Sequence, residues 1–344
     1  MSAVTPPPPP AVALVSFDSL GDSLIYVMMA ENLRANGFAV TLFGNIGHQL
    51  RDWIPQIDTR PLPAIAELDD ALAPFALTLM SPPAALRATL TPEACRSARE
   101  KWVLICQKAP QDWVFDHTER LSSQLSRAQL EALKGLPACA GSIRFREFTN
   151  ESVVDITLAY MRERMKLERL VRKVPLSPPA GLTHKRHRRR IVISPDSAGP
   201  DKKEWHPRAF LELCRQLRRS GYDPRIVVAP RNRPRWQDLA AGEFEVPLFA
   251  DIASLAAFIF ESGALIANDS GNGHLASFLD IPVITIYRKR NEHFHWRPAW
   301  GPAQVICPLL RLPWPGEDAL WRPFIGVRRV LRALRAFQNE EIRT

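Results

Sequence analysis

The sequence predicts an α/β protein made of two doubly wound domains in tandem. Apolar runs of strand length alternate with helical patterns in both halves, and each half starts with a buried strand that leads into a turn and a helix. The length of 344 residues suits two domains of roughly 150 residues each. Ligands bind such domains beyond the carboxyl ends of the strands. Two domains that face each other would place a cleft between them, and we expect the ligand there.

The first domain is predicted over residues 11–172, after a Pro-rich head at residues 1–10 that we expect to be disordered. A strand at 12–17, a helix at 23–36 and a strand at 38–43 form a β-α-β unit, and such a crossover makes the two strands parallel. Weaker patterns follow, with strands predicted at 75–80 and 102–106 and helices at 126–133 and 151–171.

The second domain is predicted over residues 190–325, after a linker at 173–189 that is rich in Pro and basic residues. A basic run such as that at 184–190 is more often a solvated linker than a binding site. The predicted elements are strands at 190–194, 225–229, 264–267 and 281–287, and helices at 207–220, 252–260 and 275–279. Residues 326–344 form a last amphipathic helix, and such an apolar stripe more often packs on a protein core than on a membrane.

The composition narrows the classes of function. A formal net charge of +9 favours anionic partners such as phosphates, acidic lipids or nucleic acid. The five cysteines form no C-x-x-C pair, which argues against a zinc ribbon and favours a reducing compartment. No signal peptide and no apolar run of ~18 residues is evident, so we expect a cytoplasmic protein. We expect no metal at His293 and His295, because no carboxylate or cysteine cluster completes a site.

The most informative segment is residues 269–274, with the sequence DSGNGH, between an apolar strand and the start of a helix. Unpaired N–H groups and the helix dipole attract anions there, and the diphosphate of a sugar nucleotide suits such a site. Asp269 is a candidate acceptor for sugar hydroxyls, and His274 is a candidate hydrogen-bond donor. Backbone amides for phosphate would come from residues 270–273, which include Ser270, Gly271 and Gly273. The alternative is a structural turn, with Asp269 as the helix cap and His274 as a satisfied core residue.

A second candidate for phosphate contact is the loop at residues 194–205, which follows the first strand of the second domain. The hydroxyls of Ser194 and Ser197 can donate hydrogen bonds to a diphosphate, and the ammonium of Lys203 supplies a point charge. The alternative is an ordinary polar loop with a solvated lysine pair, although this loop is longer than most of its kind.

A candidate general base, Asp22, follows the first strand of the first domain. A carboxylate at this place faces the expected cleft and could take a proton from a hydroxyl nucleophile. The alternative is a helix cap, since Asp is favoured at caps and Gly21 suits the turn. The two roles need not exclude each other.

Taken together, these segments resemble the heptosyltransferases of lipopolysaccharide core assembly, glycosyltransferase family 9. The matching pieces are Gly21-Asp22 with its helix, KEWHP at 203–207, and the D-S-G-x-x-H-L-A pattern at 269–276. IPV at 281–283 and WRP at 296–298 then follow as in the family. The resemblance is firm over 190–300, fair over 12–45, and weak or absent over 60–175.

The resemblance implies the GT-B fold: two Rossmann-like domains, a donor bound mainly by the C-terminal one, and a last helix that crosses back to the N-terminal domain. It implies an inverting transfer, without metal or other cofactor, of a heptose from a nucleotide-diphosphate donor such as ADP-heptose. The acceptor would be of the lipopolysaccharide-core type, at the cytoplasmic face of the inner membrane. By this resemblance, Asp22 takes the place of the general base, and Lys203 with its loop takes that of the diphosphate contact. The sugar and phosphate contacts would be made by Asp269, Ser270, Gly271 and His274.

Two departures from the family leave other functions open. The loop tip at 195–198 differs from the usual one, and residues 231–233 are Arg-Asn-Arg where members often carry acidic residues near the nucleoside. One alternative is a glycosyltransferase with another donor nucleotide or acceptor, and another is a non-catalytic sugar-nucleotide-binding protein of the same fold. A basic nucleic-acid binder is disfavoured, because the chain carries no recognisable nucleic-acid module.

Overall fold

The computed structural model describes residues 10–17, 19–81, 101–105, 114–141, 143, 147–290, 292–309 and 321–343, with backbone only for 338–343. The Pro-rich head predicted at 1–10 lies outside these residues, apart from residue 10. The chain divides into two compact units between Ser177 and Pro178, a point inside the predicted linker. Each unit contains a five-stranded parallel sheet, as the alternation of strands and helices predicts.

The sheet of the first unit has the strand order β3-β2-β1-β4-β5. Its strands are β1 (Ala11–Val15), β2 (Ala39–Phe43), β3 (Asp58–Arg60), β4 (Leu77–Met80) and β5 (Trp102–Leu104). Its helices are α1 (Leu20–Ala35), α2 (Asn45–Gln49), α3 (Leu68–Leu72), α4 (Thr118–Gln124), α5 (Arg127–Ala132) and α6 (Val153–Glu163). The predicted β-α-β unit is therefore present, and so are the strands expected near 75–80 and 102–106.

Helix α6 ends at Glu163, well before the predicted end near residue 171. The following chain is held by a side-chain amide of α1 instead of by helical bonds. Asn32, which is buried, accepts a hydrogen bond from the Val171 N–H at 2.7 Å and donates one to the Val171 carbonyl at 2.8 Å. A buried amide that satisfies both backbone groups of one residue favours extended chain over a longer helix.

The sheet of the second unit has the strand order β7-β6-β8-β9-β10. Its strands are β6 (His187–Ser194), β7 (Asp223–Ile226), β8 (Ser262–Asn268), β9 (Val283–Ile286) and β10 (Ala303–Ile306). Its helices are α7 (Pro200–Lys203), α8 (Pro207–Arg219), α9 (Arg233–Ala240), α10 (Ile252–Phe260), α11 (Gly271–Phe278) and α12 (Val327–Arg343). The sequence pattern did not predict β10, whose first two residues are exposed.

Strand β6 begins at His187, so the last part of the basic run is strand and not linker. Arg190 shows how the strand accommodates a basic residue. Its guanidinium lies 4.0 Å from the centre of the Phe258 ring and its Nε donates to the Ser262 hydroxyl at 2.8 Å. Partial burial lowers the pKa of Arg190, although an arginine stays charged at any physiological pH.

Helix α12 packs its apolar stripe on the core of the second unit. Val330 and Leu334 are buried in the same hydrophobic cluster as Phe210 and Leu217 of α8. The stripe therefore covers a protein core, as its spacing predicts. The return of this helix to the first domain stays a prediction. Among the described residues, no helix is both long and apolar enough to cross a membrane.

Gly263 of β8 lies where β6 changes its register with β8, between His187 and Ile191. A Cβ atom on Gly263 would lie only 1.9 Å from the Arg188 carbonyl oxygen, so any side chain must force the two strands apart. We expect Gly263→Ala to lower the free energy of unfolding by roughly 1–3 kcal/mol, measured by urea-induced unfolding. The control is Gly326→Ala, because a Cβ atom there meets nothing within 4 Å. Equal stability of the two variants would contradict this steric argument.

Candidate functional site

The candidate site of the second unit lies where the strand order of its sheet reverses. Strands β6 and β8 are neighbours and pair in parallel up to Ser194 and Ala267, so the loops that follow them leave the sheet side by side. The carboxyl ends of β6 and β8 therefore flank the point where the strand order reverses. In a doubly wound sheet, ligands usually bind at such a point. The fold thus brings together the two loops that the sequence singled out separately.

An ion pair connects the two loops. The ammonium nitrogen of Lys203, at the end of α7, lies 2.6 Å from Oδ2 of Asp269, which follows β8. The Lys203 side chain is 48% exposed, so a ligand from solvent can reach the ammonium. A half-exposed cation next to a helix N-terminus is suited to hold the oxygens of a diphosphate.

The start of α11 supplies backbone donors at the same place. Ser270, and not Asp269, is the N-cap residue of this helix, and its side chain makes no capping hydrogen bond. The interpretation of Asp269 as the helix cap is therefore wrong, because its carboxylate pairs with Lys203 instead. In the first turn of α11, the Gly273 N–H donates to the Ser270 carbonyl at 3.2 Å. The N–H groups that precede it in the turn come before the first helical hydrogen bond, and they can donate to an anion.

Two buried polar atoms near this helix start have no hydrogen-bond partner within the described part of the chain. They are Oγ of Ser270 and Nδ1 of His274. A buried polar group without a partner costs roughly 1–3 kcal/mol, so such groups are uncommon in folded proteins. The alternative of a satisfied structural histidine therefore does not describe His274, since its ring is buried but Nδ1 is unpaired.

His274 is neutral near pH 7. Burial lowers the pKa of its imidazole to about 4, the charge of Asp269 opposes this shift, and that of Lys203 adds to it. The ring packs edge-on against the rings of Trp296 and Trp300, with centroids 6.2 and 6.1 Å apart. A neutral imidazole in this setting can donate one hydrogen bond to a ligand without adding charge.

The lowered pKa of His274 predicts a pH dependence of stability. Above pH 6.5 the ring is neutral in both folded and unfolded chain, and no stability is lost. As the pH falls from 6.5 towards 4, only the unfolded chain binds the proton, so up to about 3 kcal/mol is lost progressively. His274→Phe should remove that part of the dependence in urea unfolding at pH 7 and pH 5. His187→Gln, at an exposed position, should keep it, and an unchanged slope in His274→Phe would contradict the shift.

Two asparagines that the sequence reasoning did not single out hold the loops in place. Asn268, which is fully buried, accepts a hydrogen bond from the Trp205 N–H at 3.0 Å and donates to the Pro195 carbonyl. Asn272 donates from Nδ2 to the hydroxyl of Ser194 at 2.9 Å. Ser194 is itself fully buried, so its first role is to receive this bond. A strand that ends in a polar residue among apolar ones was the signal that could have identified Asn268.

The loop after β6 is also held by two buried carboxylates. Asp196 accepts hydrogen bonds from the Ala229 N–H at 2.7 Å and from Nδ2 of Asn232 at 3.0 Å. Glu204 accepts one from the Ser197 N–H at 2.8 Å, and burial raises the pKa of Glu204. The two segments that depart from the family pattern, at 195–198 and 231–233, are thus bonded to each other through Asp196.

Gly273 packs closely against strand β9. A Cβ atom on Gly273 would lie 3.0 Å from Cγ2 of Thr285 in β9 and 3.6 Å from Cγ of Pro298. The sequence reasoning predicted a close approach of backbone to another group, and that group is the neighbouring strand. This observation gives Gly273 a structural function and leaves Ser270 and Gly271 as the residues at the helix start.

Asp22 occupies the corresponding place in the first unit, at the carboxyl end of β1, where the strand order reverses towards β4. The N-cap residue of α1 is Ser19, so Asp22 is not the cap but the third residue of the helix. Its side chain is exposed to solvent on one side. Enough protein surrounds the carboxyl to raise its pKa by loss of hydration, and a hydrogen bond from the Ser19 side chain opposes this shift. A reachable carboxylate with a raised pKa is suited to act as a general base.

Within the described ranges, no group of three or more His, Cys, Asp or Glu side chains is arranged to hold a metal ion. Cys139, Cys214 and Cys307 form no disulfide among the described residues, and burial raises the pKa of Cys139 and Cys214 to about 12. The other two cysteines of the sequence, at 95 and 106, lie outside the described residues.

Two parallel-sheet domains of this kind form the GT-B fold, and solved glycosyltransferase structures with that fold match the chain over nearly its whole length. The sequence model of glycosyltransferase family 9 (heptosyltransferase) matches residues 91–313, well over half of the chain. The chain therefore belongs to glycosyltransferase family 9, which confirms the resemblance found in the sequence. No curated protein sequence matches the chain.

Three solved structures show the likeness in fold. The family 9 glycosyltransferase from Veillonella parvula DSM 2008 is 15% identical, with a TM-score of 0.68, over 96% of this chain and 98% of that one. The ADP-heptose LPS heptosyltransferase II of E. coli is 16% identical, with a TM-score of 0.64, over 96% and 99%. The E. coli heptosyltransferase WaaC with ADP is 18% identical, with a TM-score of 0.60, over 95% and 99%. At such identities the comparison supports the fold, and the substrates require a separate argument.

Proposed function

We propose that this protein is an inverting glycosyltransferase that moves a heptose from ADP-heptose to an acceptor of the lipopolysaccharide-core type. The observation that carries the proposal is the Lys203–Asp269 pair beside the start of α11, where Ser270 Oγ and His274 Nδ1 are buried and unpaired. This arrangement supplies a cation, backbone amides and two free polar atoms for a sugar diphosphate. E. coli WaaC has been solved with ADP and with ADP-2-deoxy-2-fluoro heptose, which supports this choice of donor.

In the proposed reaction, an acceptor hydroxyl attacks the anomeric carbon of the donor sugar from the side opposite the diphosphate. The new C–O bond forms as the bond to the diphosphate oxygen breaks, so the configuration at that carbon inverts. The carboxylate of Asp22 takes the proton of the attacking hydroxyl. The electron pair of the broken bond stays on the diphosphate, which leaves with one additional negative charge.

Stabilisation of that charge is the task assigned to the second unit. The ammonium of Lys203 carries a full positive charge, and the N–H groups at the start of α11 carry partial positive charges. The fold holds both kinds of group before the bond breaks. Donors that are fixed in advance stabilise a developing charge without reorganisation. Because these groups belong to the protein, we propose that the transfer needs no metal ion.

The proposal is tested first by binding. A thermal-shift series with ADP, UDP, GDP and ADP-heptose should show stabilisation by the two adenine compounds, because specific binding raises stability by mass action. Transfer from ADP-heptose to a heptose-free lipopolysaccharide precursor is then followed by mass spectrometry, with and without EDTA. Stabilisation by another nucleotide would change the proposed donor, and loss of transfer in EDTA would contradict the absence of a metal. Donor binding without transfer to any precursor would favour a non-catalytic binding protein.

A further inference from the structure

Arg322 is distant in sequence from Lys203, but its side chain holds the short helix α7 that carries Lys203. Its Nε donates to the Glu204 carbonyl at 2.7 Å, and one terminal nitrogen donates to the Asp201 carbonyl at 2.7 Å and the Pro200 carbonyl at 3.2 Å. Helix α7 has four residues, and an isolated turn of this length is not stable in water. Its conformation therefore depends on contacts from outside the turn.

The contacts inside α7 are few. The Lys203 N–H donates to the Gly199 carbonyl at 2.8 Å, and the Glu204 N–H donates to the Pro200 carbonyl at a long 3.4 Å. The carbonyl end of a helical turn carries partial negative charge, which a guanidinium complements in both charge and geometry. Arg322 thus binds the end of α7 that the turn itself leaves weakly bonded.

Arg322 is fixed from its other side as well. The indole Nε1 of Trp205 donates to the Arg322 carbonyl at 3.1 Å. Trp205 is buried, and its backbone N–H donates to Asn268 at the end of β8. These bonds connect Arg322, the loop after β6 and the end of β8 into one network. Lys203 belongs to the loop that this network holds.

We propose that Arg322 is a positioning residue for the diphosphate contact, because it holds α7 so that the ammonium of Lys203 stays beside Asp269 at the start of α11. This inference rests on the proposed function, which assigns Lys203 to the diphosphate. Arg322 itself contacts backbone carbonyls, and it acts on the ligand through Lys203.

The first test uses the ligand-free protein. Hydrogen exchange of the amides of residues 202–204 should become faster in Arg322→Ala than in the wild type, because α7 loses two hydrogen bonds and Glu204, which follows it, loses one. The matched control is Arg328→Ala, an exposed arginine on α12 that should leave the exchange of these amides unchanged. Unchanged exchange in Arg322→Ala would overturn the inference, whatever the ligand of the protein.

The second test separates positioning from general destabilisation. By calorimetric titration with ADP, Arg322→Ala should bind roughly tenfold more weakly than the wild type. In the Lys203→Ala background, Arg322→Ala should cause no further loss, since its effect passes through Lys203. Two independent, additive losses would overturn the inference. Absence of ADP binding by the wild type would instead contradict the proposed function, and the exchange measurement would still decide whether Arg322 holds α7.

Discussion

Replacement of Asp22 by asparagine should slow glycosyl transfer by about 10²–10⁴-fold and leave the affinity for ADP-heptose nearly unchanged. The amide has almost the shape of the carboxylate but cannot take a proton, so only the step that activates the acceptor hydroxyl is lost. The measurement is the rate of transfer at saturating donor, with the donor affinity determined separately by calorimetry. Unchanged turnover in Asp22→Asn would exclude Asp22 as the general base.

The control for this variant is Asp70→Asn, which removes an exposed carboxylate on α3 of the same unit and should leave the rate unchanged. The pH profile gives a second check. The pKa of Asp22 is raised, and only the deprotonated form accepts a proton, so activity should fall with decreasing pH at a value above the usual ~3.9 of an aspartic acid. A profile without this acidic limb would mean that another group, or none, acts as the base.

Replacement of Lys203 by alanine should weaken binding of ADP-heptose by roughly 10- to 100-fold, because a charge-assisted hydrogen bond to the diphosphate is lost. The same change leaves the Asp269 carboxylate without its ion-pair partner, 2.6 Å from where the ammonium was, so repulsion of the phosphates adds to the loss. The rate of transfer at saturating donor should also fall, since the leaving diphosphate loses a cation when its charge develops. Calorimetry and steady-state kinetics measure the two effects separately.

Lys202→Ala is the matched control for this change. It removes an equal charge from the same turn at an exposed position, whereas the ion pair with Asp269 at 2.6 Å is that of Lys203. If both variants weaken the donor equally, the effect is one of net charge, and Lys203 loses its assignment to the diphosphate. A selective effect of Lys203→Ala supports the proposed contact.

The parts of the fold that could be predicted are those where buried strands carry continuous apolar side chains. Strands β1 and β8 lie inside their sheets, and both faces of such strands are covered, so β1 is apolar throughout and β8 is apolar over residues 264–267. Strand β3 at one sheet edge reads Asp-Thr-Arg, and β10 at the other sheet's edge is partly exposed. Strand β3 carries no apolar signal, and the four residues of β10 carry only a short one, which is why both were missed.

The residue types of the candidate site could be predicted from the sequence, but the bonds between its segments could not. Lys203, Asp269 and His274 were identified because each follows a strand and has chemistry suited to a diphosphate. Their relative positions follow from the pairing of β6 with β8, which sequence spacing does not reveal. Asn268 and Arg322 were not identified, since each acts through bonds to backbone atoms of segments that are far away in the sequence.

The contacts of Arg322 have a consequence for the order in which the site can be completed during synthesis. The carbonyls that it binds precede it by 118–122 residues along the chain. A nascent chain that has reached β8 can pair that strand with β6 and bring Asp269 near Lys203, but α7 still lacks its guanidinium partner. Domains generally fold as units, and contacts of long sequence separation form at a high entropic cost. The arrangement of the candidate site is therefore completed only when almost the entire second unit has left the ribosome, and a chain truncated before residue 322 would carry the site residues without the contacts of Arg322.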